Sequence, residues 1–231
     1  MTPTPHSPHT HGPDTNGLSP QGTAPHGRNA QGLNAGFPDP GRPLEGKLVR
    51  LEPLSRSHLG GLQDAVEEGR IWDRWFTSVP PAEGMEAEIE RRLALREQGA
   101  MMPFTAVRQS DDEVLGMTSF YDIAPEVPRL EIGYTWNRAS AHRTGTNTES
   151  KLLLLTYAFE LWRAETVGFR TSWSNNQSRA AIARLGARQD GVLRGARRLR
   201  GGQLDDVVVF SLLKHEWPSV RTNLTWMLRE R

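Results

Sequence analysis

The chain has 231 residues, of which 36% are hydrophobic, so it can form one large domain or two small ones with a substantial core. Its formal net charge of +1 gives no bulk attraction to nucleic acid or to an anionic membrane. Because the chain has no cysteine, a disulfide framework, a thiolate metal site and a cysteine nucleophile are all excluded.

The first 43 residues differ in composition from the rest of the chain. Proline alternates there with Gly, Thr, Asn and His, and Leu18, Leu33 and Phe37 are nearly the only large apolar side chains. So few apolar groups cannot offset the entropy lost on ordering. The sequence therefore predicts a disordered tail over residues 1–43, unless the tail docks through those side chains, and a single folded domain over residues 44–231.

Two further features of the N-terminal part concern metals and targeting. His6, His9 and His11 could bind a transition metal. Flexible ligands without an acid or a cysteine bind loosely, so we expect no metal site. The N-terminus lacks the apolar core of a secretory signal, and no apolar run approaches the roughly 18 residues that span a bilayer. The sequence predicts a cytoplasmic protein with no membrane partner.

The first half of the domain is predicted to begin with a strand and two helices. The predicted elements are a strand over 46–54, a helix from about 55 to 68 and a second helix from about 81 to 98. The connector between the helices contains Trp72, Trp75 and Phe76. Aromatic side chains in such a connector suit a packed lid, and the functional alternative is a wall of the substrate pocket.

The second half alternates strands with helices. The predicted strands are 104–109, 113–123, 129–136, 166–173, 192–199 and 206–213, and the predicted helices are 152–162, 175–185 and about 216–229. The first three strands are separated by turn signals and predict an antiparallel meander. The strand, helix and strand between residues 129 and 173 imply one parallel pairing. The fold class is therefore α/β (α+β), with a mixed, mostly antiparallel sheet flanked by helices.

A loop of small residues follows the strand at 129–136 and leads into an apolar helix. Its successive backbone N–H groups and the helix start favour an anion such as a phosphate, and two cationic side chains add charge. The residues concerned are His142, Arg143, Thr144, Gly145, Thr146, Asn147, Thr148 and Lys151. A solvent-exposed loop capped by Thr148 is the alternative that the loop alone leaves open.

Several motifs in order along the chain resemble the GNAT acyl-CoA-dependent acetyltransferases, and among these the RimJ/RimL-like ribosomal-protein alanine N-acetyltransferases. The resemblance covers residues 44–228, and the tail lies outside it. The matching motifs are Leu130-Glu131-Ile132-Gly133-Tyr134, the loop to Asn147, Glu149-Ser150-Lys151-Leu152-Leu153, Asn175-Asn176-Gln177-Ser178 with Leu185-Gly186, Asp190-Gly191-Val192-Leu193-Arg194, Asp205-Asp206-Val207-Val208 and Glu216-Trp217-Pro218.

The resemblance implies a GNAT fold, in which the family's fourth and fifth strands splay apart around the pantetheine of acetyl-CoA. Here those strands are 129–136 and 166–173. Gly133 has no side chain and would permit close approach of the pantetheine, and an ordinary β-bulge is the alternative for this glycine. The pyrophosphate is expected on the loop and helix start after the first of them, and no metal is expected. The residues implied in binding acetyl-CoA are Ile132, Gly133, Tyr134, Trp136, His142, Arg143, Thr144, Gly145, Thr146, Asn147, Thr148, Lys151, Asn175 and Ser178.

The loop departs from the family pattern at both ends. His142 stands where the family has Gln or Arg, and Asn147 stands where it has Gly or Ala. Because the phosphate donors are backbone N–H groups, which survive side-chain changes, we expect CoA binding to be retained.

The resemblance also suggests catalytic residues. Glu131 is the candidate base, directly or through a water, and a solvated strand carboxylate is the alternative. Backbone N–H groups near residues 132–134 are expected to form the oxyanion donor. Many GNAT enzymes place a tyrosine acid where this chain has Ile182, so Ser178 is the candidate acid and Asn175 is expected to bind the pantetheine. The alternative role for Asn175 and Ser178 is to cap their helix, and the two roles are compatible.

The predicted function is acetyl transfer from acetyl-CoA to a primary amine, with a protein N-terminal α-amine as the acceptor that the resemblance suggests. A non-catalytic CoA-binding sensor and an RNA- or ribosome-associated protein are the alternatives. The second would use Arg194, Arg197, Arg198 and Arg200, although a solvated charged hairpin is favoured there, and no DNA binding is expected. Homodimerisation through the C-terminal hairpin or helix is left open.

Overall fold

A computed structural model describes residues 36–230 of the chain. The predictions for His6, His9, His11, Leu18 and Leu33 lie outside the described residues. The strands are β1 (Leu44–Glu45), β2 (Val49–Pro53), β3 (Met101–Arg108), β4 (Val114–Ala124), β5 (Arg129–Asn137), β6 (Thr166–Ser172), β7 (Arg188–Arg198) and β8 (Leu204–Leu213). The helices are α1 (Leu59–Glu67), α2 (Met85–Glu97), α3 (Thr146–Thr156), α4 (Asn176–Arg184) and α5 (Trp217–Arg229).

All eight strands belong to one sheet in the order β1-β2-β3-β4-β5-β6-β8-β7. Neighbours pair antiparallel except β5 and β6, which are parallel because the chain crosses between them through α3. The predicted meander, the single parallel pairing and the C-terminal hairpin are confirmed. Most predicted boundaries agree with the structure to within a few residues, and β1 is a strand that the sequence pattern did not indicate.

Strands β5 and β6 pair over only three residues each, from Arg129 opposite Thr166 to Glu131 opposite Gly168. Both strands then continue, to Asn137 and to Ser172, bonded only to their outer neighbours β4 and β8. Their facing edges therefore diverge, and the expected gap opens in the middle of the sheet.

Two apolar clusters cover the two faces of the sheet. On one face Leu154 and Leu155 of α3 are completely buried against strand residues such as Phe104 and Phe120, whose rings meet edge to face at 5.6 Å. On the other face Leu62 of α1 and Met85 of α2 are completely buried in the second cluster. The sheet is thus covered on both sides, and its central gap lies between two packed layers.

A β-bulge interrupts β5 beside the gap. Met117 and Ser119 of β4 pair with Trp136 and Gly133, so β5 contains one residue more than β4 over this interval. The irregularity includes Tyr134, whose φ of 50° is unusual for a residue with a side chain. The bulge that Gly133 left open as an alternative is therefore confirmed, with Gly133 at its edge.

Strand β3 begins earlier than predicted because Pro103 is tolerated inside it. The carbonyl of Pro103 faces β2 and accepts the N–H of Leu54, just after β2 ends at Pro53. The N–H that proline lacks would face the same way, so no ladder hydrogen bond to β4 is lost.

Helix α3 also differs from expectation at both ends. It begins at Thr146, six residues before the predicted apolar run, and it ends at Thr156 in a π-helical turn over Tyr157–Leu161. Gly145 precedes it with φ at 97°, a conformation in which a side chain is strained. The loop therefore turns directly into the helix.

The described residues just before β1 contact the domain. Phe37 packs partly buried against the main core cluster, the carbonyl of Gly36 accepts the indole N–H of Trp162 at 2.8 Å, and Asp39 pairs with Arg96 at 2.6 Å. Phe37, one of the apolar tail residues considered for docking, thus contacts the domain. The boundary between tail and domain at residue 43 stays a prediction.

Candidate active site

A cleft of about 850 Å³ lies where β5 and β6 diverge. Its walls come from both strands, from the loop and first turn of α3, from α4 and from the connector between α1 and α2. Because the facing strand edges in the gap are not bonded to each other, their backbone groups are available to an extended ligand that carries amides.

The loop before α3 forms one end of the cleft. The hydroxyls of Thr144 and Thr146 both donate to the carbonyl of Ala141, at 2.8 and 3.2 Å, and thereby fix the loop from inside. The cleft is lined by the neighbouring His142, Arg143, Gly145, Asn147 and Thr148. The first N–H groups of a helix have no intrahelical acceptor, so this end of the cleft suits an anion.

Glu149, in the first turn of α3, is used within the fold. Its buried carboxylate accepts the N–H groups of Lys47, Leu48 and Val49 at 2.9, 2.6 and 2.9 Å. This contact joins the helix start to the beginning of β2. Gly46 permits the approach, because a Cβ at that position would lie 2.5 Å from Glu149 Oε2.

Lys151 lines the cleft, but its amine lies against the sheet. The side chain is buried, and Nζ donates to the hydroxyls of Thr135 at 2.8 Å and Thr118 at 3.2 Å. No carboxylate lies within ion-pair distance of it in the part of the chain that the structure describes. Burial lowers the pKa of Lys151 to about 7. At neutral pH a large fraction of this side chain is uncharged.

Glu131 belongs to the last pair before the strands diverge, so it lies at the vertex of the gap. Its buried carboxylate accepts the Tyr121 hydroxyl at 2.6 Å and pairs with Arg170 at 2.8 Å. Burial raises the pKa of Glu131 above its usual range, although the Tyr121 and Arg170 contacts oppose this. Glu131 is absent from the residues that form the cleft wall in the described chain, so access to a ligand would require an intervening group.

The bulge in β5 is fixed from the α2 side. The guanidinium of Arg92 donates to the Tyr134 carbonyl at 3.4 Å and to the Ser119 hydroxyl at 3.2 Å, and it pairs with Glu88 at 2.7 Å. The Tyr134 ring meets the Tyr121 ring edge to face at 5.0 Å. Ile132, Gly133 and Tyr134, the segment predicted to supply the oxyanion donor, all line the cleft.

Asn175 and Ser178 both line the opposite wall at the start of α4. Asn175 is the N-cap, and its side-chain oxygen accepts the backbone N–H of Ser178 at 3.0 Å. The capping role is thus confirmed for this pair. Among the described residues the Ser178 hydroxyl makes no hydrogen bond of its own, so it is available to a ligand.

Trp136 lies between the cleft and the second core cluster. Its side chain is only 2% exposed, and its indole N–H has no hydrogen-bond partner among the residues described. Because the nitrogen is buried, as is the unpartnered indole nitrogen of Trp72 outside the cleft, Trp136 is a packing residue of the cleft wall in this conformation.

The charges that line the cleft all have one sign. The arginines in its wall are Arg74, Arg92, Arg143, Arg170, Arg184 and Arg197, and Lys151 adds a charge only in the fraction that is protonated. Within residues 36–230 no Asp or Glu side chain contributes to this wall. Sequence patterns indicated only Arg143 and Lys151, because the others come from separate elements that the fold brings together.

The arginines of the C-terminal hairpin are engaged within the protein. Arg194 and Arg197 pair with Asp206 and Asp205, at 2.6 and 2.7 Å, and Arg198 donates to the Gly202 carbonyl. Arg200 donates to the carbonyls of residues 78 and 79 in the connector, at 3.2 and 3.0 Å. These contacts agree with a charged structural hairpin and offer no separate RNA-binding patch.

The three aromatic residues of the connector have different surroundings. Trp72 packs partly buried against the second core cluster, Phe76 lines the cleft, and Trp75 is 59% exposed with its ring edge to face against Phe76 at 5.7 Å. The position of Trp72 agrees with a packed core edge, and a role for Phe76 in a substrate pocket stays a prediction.

Most of the residues predicted to bind acetyl-CoA line the cleft. Among the predicted site residues, the exceptions in the described chain are Glu131, at the vertex, and Thr144 and Thr146, which fix the loop. Across residues 36–230 there is no cluster of three or more His, Asp or Glu side chains that could bind a metal. The same residues contain no helix long and apolar enough to cross a membrane.

A splayed parallel pair beside a helix start whose free N–H groups suit an anion is the arrangement that the GNAT resemblance implies. The family model described as an acetyltransferase (GNAT) domain matches residues 49–188. The chain therefore belongs to the GNAT acetyltransferase family.

Individual relatives agree with this assignment. YdaF of Bacillus subtilis (strain 168), provisionally named as a ribosomal N-acetyltransferase, is 33% identical over 107 residues, which are 46% of this chain and 57% of YdaF. The chain thus matches little more than half the length of that relative. A crystal structure provisionally named as an acetyltransferase from T. thermophilus is 35% identical, with a TM-score of 0.71 over 81% of this chain and 97% of that one.

RimL, the ribosomal L7/L12 α-N-protein acetyltransferase, has been solved in complex with coenzyme A. It is 20% identical to this chain, with a TM-score of 0.64 over 74% of this chain and 98% of RimL. At this identity the likeness concerns the fold.

Proposed function

We propose that this protein transfers the acetyl group of acetyl-CoA to a primary amine, specifically a protein N-terminal α-amine, in a cytoplasmic setting. The observation that carries the proposal is the cleft between β5 and β6, which combines open strand edges with the anion-binding start of α3. Family membership supports acetyl-CoA as the donor. The names of YdaF and RimL, which refer to ribosomal and α-N-protein acetylation, support the acceptor.

Binding of acetyl-CoA is assigned to three groups of residues. The pyrophosphate is placed on the N–H groups of the loop and first turn, with the Arg143 guanidinium beside it. The pantetheine amides are placed on the open edges of β5 and β6, with Asn175 on the far wall. Lys151 lines the same cleft, and its amine lies against the sheet, where it contacts Thr118 and Thr135. The proposal is supported by the positions of these residues in or beside one cleft.

The chemistry requires a neutral amine, a polarised carbonyl and a proton for the leaving thiolate. The amine nitrogen attacks the thioester carbon, the carbon–sulfur bond breaks, and the products are an amide and the CoA thiol. Backbone N–H groups at the bulge are assigned to the developing oxyanion. Glu131 is proposed to accept the amine proton through a water, because it is buried at the vertex. Ser178 is proposed to relay a proton from water to the departing sulfur, giving its own proton to the sulfur while it takes one from water, since its hydroxyl is not otherwise engaged.

The experiment is a calorimetric titration of the full chain with acetyl-CoA and with CoA, followed by free-thiol release against N-terminal peptides and small amines. The expected result is binding of both ligands and thiol release with peptides. Binding without thiol release on any amine would replace the proposal by a CoA-binding sensor. An absence of binding would mean that the loop with His142 and Asn147 no longer accepts CoA.

A further inference from the structure

If the proposed transfer takes place, the positive charge of the cleft wall favours some acceptors over others. The connector between α1 and α2, the start of α4 and the tip of the β7–β8 hairpin surround the cleft on the side of α2. Arg74 of the connector donates to the Gln177 side chain of α4 at 3.2 Å, and Arg200 of the hairpin binds connector carbonyls. These contacts fix Arg74 at the rim of the cleft, where it is exposed.

Three carboxylates near this part of the cleft are each bound by an arginine, as is the exposed Asp73 of the connector, which pairs with Arg70 at 3.6 Å. Glu88 is bound by Arg91 and Arg92, Glu131 by Tyr121 and Arg170, and Asp205 by Arg197 and Ser172. None of the three lines the cleft in the described structure. A ligand with several ammonium groups, such as a polyamine or an aminoglycoside, would therefore meet cations and find no carboxylate to pair with.

Arg74, together with Arg184 at the end of α4, differs from three other arginines of the cleft wall. Arg92, Arg170 and Arg197 each pair with a carboxylate, whereas Arg74 has no carboxylate within ion-pair distance among residues 36–230. Its only partner there is the neutral Gln177 amide. An exposed guanidinium at the rim can therefore accept an anionic group of a ligand, with two parallel hydrogen bonds to a carboxylate.

Arg74 and the bulge of β5 belong to the wall of the same cleft, and Arg74 is held by Gln177, the residue before Ser178. Since the proposed acceptor is a polypeptide N-terminus, a carboxylate bound by Arg74 would belong to the side chain of one of the residues that follow the amine. Beside Arg74 the exposed Trp75 and the cleft-lining Phe76 provide an apolar surface for a chain that leaves the site.

We propose that the acceptor is the N-terminus of a polypeptide with Asp or Glu among its first few residues, and that Arg74 recognises one of these carboxylates. The inference rests on the proposed function, which makes the acceptor a protein N-terminal α-amine. It adds that the residues after this amine carry negative charge. It excludes polycationic amines as preferred acceptors.

The experiment uses peptides that begin with serine and continue with aspartates, glutamines or lysines. Thiol release gives kcat/KM for each, and calorimetry gives their binding to the full chain saturated with CoA. The aspartate peptide should exceed the lysine peptide about tenfold in kcat/KM, equivalent to about 1.4 kcal/mol. This preference should shrink as salt screens the charges.

The variant Arg74→Gln should raise KM for the aspartate peptide about fivefold and leave that of the glutamine peptide and of acetyl-CoA unchanged. Arg229→Gln is the matched control, since Arg229 is exposed at the end of α5. Equal use of all three peptides, a lysine preference, faster use of a polyamine, or an unaltered preference in Arg74→Gln would overturn the inference. If no peptide reacts but the aspartate peptide still binds most tightly, the acceptor inference stands and the catalytic proposal fails.

Discussion

At the residue scale, the site is shaped by side chains whose partners alter their chemistry. Glu131 and Lys151 are both ionisable groups buried beside one cleft, and burial moves the pKa of each toward neutrality, upward for the acid and downward for the amine. Groups with perturbed pKa values cluster at functional sites, although structural networks perturb them as well. Mutations that change the chemical group and keep its size can separate the two cases.

Replacing Glu131 with Gln is expected to lower kcat roughly a hundredfold, because the proposed proton acceptor is lost, with little change in acetyl-CoA affinity. A base must be deprotonated to act, so the wild-type rate should fall as the pH falls through the raised pKa of Glu131. The pH dependence of kcat in both proteins is the measurement. Tyr121→Phe removes a hydrogen bond that lowers the pKa of Glu131. In this variant the fall of kcat at low pH should therefore begin at a higher pH than in the wild type. If kcat of Glu131→Gln still falls at low pH as in the wild type, that fall must be assigned to another group.

Ser178 and Asn175 allow catalysis to be distinguished from capping. Ser178→Ala removes the hydroxyl but keeps the backbone N–H that Asn175 caps, so kcat should drop roughly a hundredfold while the melting temperature stays unchanged. Asn175→Ala should instead lower the stability by about 1 kcal/mol through the lost cap. Thermal unfolding and thiol release on both variants provide the test. Wild-type turnover in Ser178→Ala would remove Ser178 as the acid.

At the element scale, the start of α3 is the part of the fold on which the proposal depends most. Gly145 supplies the left-handed residue that turns the loop into the helix, and the threonines on either side fasten the loop to Ala141. The start of α3 is thus fixed by the backbone conformation of Gly145 and by the side chains of Thr144 and Thr146, which do not line the cleft.

Gly145→Ala is expected to weaken acetyl-CoA binding about fivefold, because alanine at this φ shifts the loop that carries the N–H donors. Gly99→Ala is the matched control: Gly99 also has a positive φ, 71°, with nothing within 4 Å of a built Cβ. Both variants should lose some stability, and calorimetry should show weaker acetyl-CoA binding only in the first. Equal affinity in both would mean that the loop conformation does not determine binding.

The order of the elements could be predicted from the sequence because each strand and helix has its own local pattern and turn residues. The loop at 142–148 was predictable for the same reason. Gly133 left a bulge in β5 open as an alternative, but the positive φ of Tyr134 was not predictable, since no local signal marks a tyrosine in that conformation. The partners of Glu131, Glu149 and Arg74 were not predictable either, because they belong to distant strands, turns and helices that only the folded topology brings together.

At the scale of the whole molecule, the buried amine of Lys151 connects the cleft to the stability of the domain. Its folded pKa of about 7 lies below that of an exposed lysine, which is about 10.4. Between these values the unfolded chain binds a proton that the folded chain does not. The stability that depends on the neutral form of Lys151 is therefore fully present above the unfolded pKa. It is lost as the pH falls toward the folded pKa of about 7.

We expect the free energy of unfolding to rise by up to about 1.4 kcal/mol per pH unit between about pH 7 and about pH 10 from this group. In Lys151→Met this rise should be absent. Urea unfolding at several pH values in that range is the measurement, with the exposed Lys47→Met as the control that keeps the wild-type slope. Identical slopes in wild type and Lys151→Met would show that Lys151 is protonated in the folded protein.

The contact between Glu149 and the turn at residues 47–49 also orders events during synthesis. The bonded atoms are separated by 100 to 102 residues of sequence. At roughly 5–20 residues per second, the ribosome adds that length in roughly 5–20 s. Once β3 has been made, β2 can pair with it, but until Glu149 has been added there is no carboxylate to bind the leading N–H groups of β2. The N-terminal edge of the sheet is thus completed only after the helix that begins at the cleft has been made.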